Sequence, residues 1–139
     1  MKRLTIAAIG LASLASTCIG VTPAEAVTYS YASGTCTTRG QSLNISAKYH
    51  TEGAYHVWDT ISYTLNGVGG PKSNIDIALY SNARKSWSWI SGDNVTGGTH
   101  SQTMSQVRTL ASTTEFVSVI AVFDTTGVDP KCEATTKNL

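Results

Sequence analysis

Apolar and polar side chains alternate through most of the chain. In SLNISAKYH (42–50), Leu43, Ile45, Ala47 and Tyr49 share one face, and Ser42, Asn44, Ser46 and Lys48 the other. A period of two is that of an extended strand with one face buried. VWDTISYTL (57–65) repeats the pattern with Val57, Ile61, Tyr63 and Leu65, although Asp59 interrupts the apolar face. SNIDIALYS (73–81) sets Ile75, Ile77 and Leu79 against Asn74, Asp76 and Tyr80, and KSWSWISG (85–92) carries Trp87 and Trp89 in alternation. FVSVIAVFD (116–124) is apolar on both faces, as a central strand would be. VTYSYA (27–32) and SQTMSQVRTL (101–110) are weaker strand candidates.

Between these runs lie EG, NGVGGP, SNARK, SGDNVTGG and TTGVDP, which are turn and loop compositions. No segment carries a helical period. Seven or eight short strands at this spacing predict a single antiparallel β-sandwich of the immunoglobulin-like kind.

The N-terminal 26 residues break the pattern. Lys2 and Arg3 precede an apolar stretch from Leu4 to Val21, and Ala24-Glu25-Ala26 closes it with a small-x-small signature. That order is a secretory signal peptide, so residues 1–26 are expected to be removed and 27–139 to form the exported domain. Two alternatives are weaker. A membrane anchor would need about 20 strongly apolar residues, and this stretch is rich in Ala and Ser. A lipoprotein would use Cys18, but Ala15-Ser16-Thr17 fits poorly before a lipidated cysteine.

Export changes the reading of the cysteines and the charge. Cys36 and Cys132 remain after cleavage, and an oxidising compartment favours a bridge between them. It would close nearly the whole domain and, by loop entropy, stabilise it by about 4–5 kcal/mol. The exported part carries equal numbers of acidic and basic residues. That excludes attraction to nucleic acid or to an anionic membrane through bulk charge. A monomer is expected.

Candidate chemistry is sparse. NGVGGPKSN (66–74) looks at first like a phosphate loop, but Pro71 precedes Lys72-Ser73, and Asn66 stands where the motif's first glycine would. A strand pattern, not a helix, follows it, so the segment reads as a wide inter-strand connection. FDTTGVDPKC (123–132) likewise reads as a structural loop before the second cysteine. His50 and His56 flank a turn; a three-residue loop would put them on one face and a two-residue loop on opposite faces. There is no G-x-S-x-G elbow, and the acids suggest no catalytic pair. No cofactor or metal is implied.

The aromatic residues carry the most promise. Trp87 and Trp89 share a strand face, which is either a flat exposed platform or core. Trp58, opposite Val57 and Ile61, is expected at the surface, with Tyr80 similarly placed. WDTISYTLNGVGGPKSN (58–74) and FDTTGVDPKC (123–132) resemble small exported proteins of actinomycetes and similar bacteria. The resemblance implies secretion and the two-cysteine frame, and carries no catalytic residue across. The expected role is a secreted, non-catalytic binding module for carbohydrate or a cell-surface component, using some of Trp58, Tyr80, Trp87 and Trp89. The alternatives are a protein-directed inhibitor or toxin-like effector acting through loops 66–74 and 91–100, and a small extracellular hydrolase.

Overall fold

A computed structural model describes residues 25–139. Most of the expected signal peptide, with Cys18, lies outside the described residues. The chain forms eight strands: β1 Tyr29–Thr38, β2 Gln41–Glu52, β3 Tyr55–Asn66, β4 Asn74–Ser81, β5 Arg84–Ile90, β6 Gly98–Leu110, β7 Glu115–Val122 and β8 Lys131–Thr135. Two antiparallel sheets result, ordered β1-β2-β3-β6 and β5-β4-β7-β8. The chain crosses between sheets after β3, β5 and β6, the Greek-key alternation of immunoglobulin-like sandwiches. β1 is an additional strand on the outside of β2.

Short turns fix the register. Ser81 pairs with Arg84 across Asn82-Ala83, both at positive φ (50° and 60°), which gives the twist that a two-residue hairpin needs. Glu52 pairs with Tyr55 across Gly53-Ala54. This two-residue connection places His50 and His56 on opposite faces of the sheet.

The predicted apolar faces meet in one core. Leu43, Ile61 and Leu65 of the first sheet and Ile75, Leu79 and Val117 of the second are essentially inaccessible to solvent. β7 is central, as its two-sided apolar pattern predicts, and lies between β4 and β8. At one end of the sandwich a buried polar tie joins the sheets: His56 Nδ1 lies 2.7 Å from the carboxylate of the fully buried Glu115.

The two long edges of the sandwich differ. On one, β1 packs closely on β8, and Cys36 and Cys132 are joined there with their Cα atoms 6.0 Å apart. Gly34 of β1 passes so near the backbone of Thr135 that a Cβ would collide with its carbonyl oxygen. On the other edge β5 and β6 barely meet.

The glycine-rich connection 66–74 is occupied with the protein's own groups. The Gly69 N–H donates to the Asp124 carbonyl (2.9 Å), the Lys72 N–H to the Asp124 carboxylate (3.1 Å), and the Asp124 N–H to Ser73 Oγ (2.9 Å). Donors that a phosphate loop would aim at a ligand are spent on Asp124. The connection ties β4 to the chain leaving β7.

Candidate functional site on the outer face of the second sheet

The four aromatic candidates go to three different places. Trp58 is not at the surface. It is fully buried, and its indole N–H donates to Thr109 Oγ1 at 2.7 Å. The reason is an irregularity that alternation alone cannot express. Tyr49 of β2 pairs with Trp58 but its neighbour Lys48 with Thr60, so Asp59 is an extra residue in β3 and the phase of inside and outside reverses there. Opposite it, Ser105 and Gln106 of β6 take positive φ (54° and 57°). Asp59 is turned outward, 3.2 Å from Lys48 Nζ, and accepts a hydrogen bond from Gln106 Nε2 (2.6 Å).

Trp87 and Trp89 face inward, not outward. They pair with Leu79 and Ile77, which are buried, and both indoles pack against the core. They remain half-buried because β5 is an edge strand and β6 stands away from it. No flat outward tryptophan platform forms.

Tyr80 faces outward. It is half-buried and stacks on Phe116 of β7, ring centroids 4.9 Å apart and planes inclined by 16°. That coplanar pair is the aromatic feature of this face, and half of it, Phe116, was not singled out in the sequence. The signal was present in FVSVIAVFD, whose second apolar face had no assigned use.

The register builds a groove beside Tyr80. Outward residues fall into rungs across the strands because period-two side chains align when strands pair. One rung holds Lys85, Tyr80 and Phe116; the next holds Ser88, Ala78, Ser118 and Thr135; the third holds Ile90, Asp76, Ile120 and Glu133. The middle rung is made of small residues between two rungs of large ones. The result is a trough of about 140 Å³ that runs across the strands, floored by Ala78 and the serines. The walls stand four residues apart along the strands, about 13 Å between their Cα rows.

The polar groups are unevenly placed. Asp76 and Glu133, both exposed, lie on one wall, separated by Ile120. Ser118 Oγ donates to Glu133 Oε1 at 2.5 Å. Lys85 lies on the opposite wall beside Tyr80. The trough is smaller than deep small-molecule pockets, roughly 300–1,000 Å³. It has hydrogen-bonding groups on floor and wall and an aromatic ring at one side.

The opposite sheet carries a different set on its outer face. Glu52 lies 3.0 Å from His50 Nε2 and 2.5 Å from Arg108, and these two hydrogen bonds, His50's the larger effect, hold its carboxyl below the usual range. A hydrogen bond to Asp59 holds the Lys48 ammonium above its ordinary value. Exposed Tyr29, Tyr31 and Tyr55 surround these groups. Among the described residues, no three His, Cys, Asp or Glu side chains are grouped to hold a metal ion.

Comparison with protein-family models, with curated proteins and with solved structures found no match to this chain. What the site does is therefore read from its geometry.

Proposed function

We propose that the protein is an exported, non-catalytic module that binds carbohydrate in the trough on the outer face of the β5-β4-β7-β8 sheet. The observation that carries this reading is the alignment of rungs: a small-residue floor beside Tyr80, whose ring is held by stacking on Phe116. A sugar ring offers an apolar C–H face and a rim of hydroxyl groups. Tyr80 suits the first; Ser88, Ser118, Asp76 and Glu133 suit the second. A site already fixed in the free protein loses little entropy on binding. The bridge between Cys36 and Cys132 fits a protein that works outside the cell.

Asp76 and Glu133 do not favour the hydrolase. They stand two strands apart on an open face, with nothing among the described residues above them to exclude water from a reaction. The protein-directed alternative is an outcome of the same experiment. Protein recovered from culture medium is mixed with insoluble polysaccharides and cell walls, and the retained fraction is measured. Retention is expected on at least one polysaccharide, weakened about tenfold by Tyr80→Ala through loss of a stacking contact. Retention on none of them, or retention unchanged in Tyr80→Ala, overturns the reading and moves the search to protein partners.

A further inference from the structure

The charge and shape of the trough narrow its ligand further, on the premise that it binds sugar. The wall that carries Asp76 alternates in character: Ile90, Asp76, Ile120, Glu133. Asp76 is exposed, and its carboxylate has no hydrogen-bond or ion-pair partner among the described residues. It is flanked on both sides by branched aliphatic side chains, and Ile90 is 70 % exposed. Glu133 offers a second carboxylate two strands away, about 10 Å along the same wall, and among the described residues only its Oε1 is engaged, by Ser118.

A neutral sugar would leave Asp76 hydrogen-bonded to hydroxyls that water replaces at little cost. An acidic sugar would be repelled by both carboxylates. A ring bearing an ammonium group answers each feature at once. Its cation meets Asp76 in a charge-assisted hydrogen bond, stronger than a neutral one. Its C–H surface lies on Ile90, Ile120 and Tyr80. Lys85, on the far wall, and Lys131, one rung beyond Glu133, stand outside the place such a cation would take.

We infer that the trough selects amino sugars with free amines, such as the glucosamine units of a de-N-acetylated polymer, with Asp76 as the residue that reads the ammonium. This deepens the carbohydrate reading and rests on it. The test uses soluble glucosamine oligomers and fully N-acetylated oligomers of equal length, titrated calorimetrically at a mildly acidic pH that keeps the amines charged. The free-amine oligomer is expected to bind at least about tenfold more tightly. Raising the salt should shrink that difference, because exposed charges are screened. Asp76→Asn is expected to abolish the preference, and a thermal denaturation midpoint like that of the unsubstituted protein shows that the variant is folded. Tyr80→Ala should weaken both. Equal affinity for the two oligomers, still sensitive to Tyr80→Ala, overturns the amino-sugar inference and leaves the carbohydrate reading standing. No binding of either oligomer, in a protein that is retained on another polysaccharide, likewise overturns only the inference. Binding of no carbohydrate at all overturns both.

Discussion

Asp59 decides where Trp58 goes. A carboxylate in the middle of an apolar strand face has two outcomes: it is buried at high cost, or the strand changes phase so that it is not. The chain takes the second course. The anomaly was visible in VWDTISYTL, but its meaning was not, because the extra residue is defined only by the pairing with β2, and the irregularity at Ser105 and Gln106 lies across the sheet in β6. The fate of Glu52 is equally non-local: its cation Arg108 comes from β6, remote in sequence. A carboxyl held below its usual value of 4.5 stabilises the fold above that pH, and the contribution falls away as pH drops through the lower folded value. Glu52→Gln should therefore lower the melting temperature slightly at neutral pH. The two proteins should converge as the solution is acidified from above 4.5 down through the lowered folded value, read by thermal denaturation across a pH series. The group is exposed and its pairs are screened, so a difference that persists unchanged at low pH would assign the effect to something other than ionisation.

At the scale of strands, most of the fold was legible. The period-two segments all became strands, the turn compositions became turns, and the doubly apolar segment became β7 at the centre of its sheet. The site was legible only in part. Tyr80 could be placed on an outer face from alternation, but Ser88, Ser118 and Glu133 had no visible relation to it until three pairings set their rungs side by side. Trp87 and Trp89 lay beyond the reach of alternation for another reason. The pattern says that two residues share a face and cannot say which face is inside, nor that an edge strand leaves an inward side chain half covered. The β1–β8 contact is also a property of elements. Gly34 is there because two backbones touch, and any side chain must push them apart. Gly34→Val is expected to cost about 1–3 kcal/mol, the range for overpacking. It would show as a lower urea midpoint, while a substitution with no effect would mean that β1 and β8 separate freely.

For the molecule as a whole, the bridge between Cys36 and Cys132 is the largest single constraint. It spans a sequence separation of 96 residues. Replacing both cysteines with serine should cost about 2–5 kcal/mol, measured by denaturant unfolding. The loss should resemble that of wild-type protein kept in reductant. A much smaller loss would mean that the β1–β8 packing holds this edge without the covalent link. The same bridge turns almost the entire domain into a covalent ring with two short tails. A protease that cuts one loop of an open chain releases a fragment. Here a single cut anywhere between the two cysteines leaves both pieces attached, and only a second cut sets a piece free. Wherever the cut falls between them, a nicked molecule of this protein can remain one molecule, with the trough still on its face.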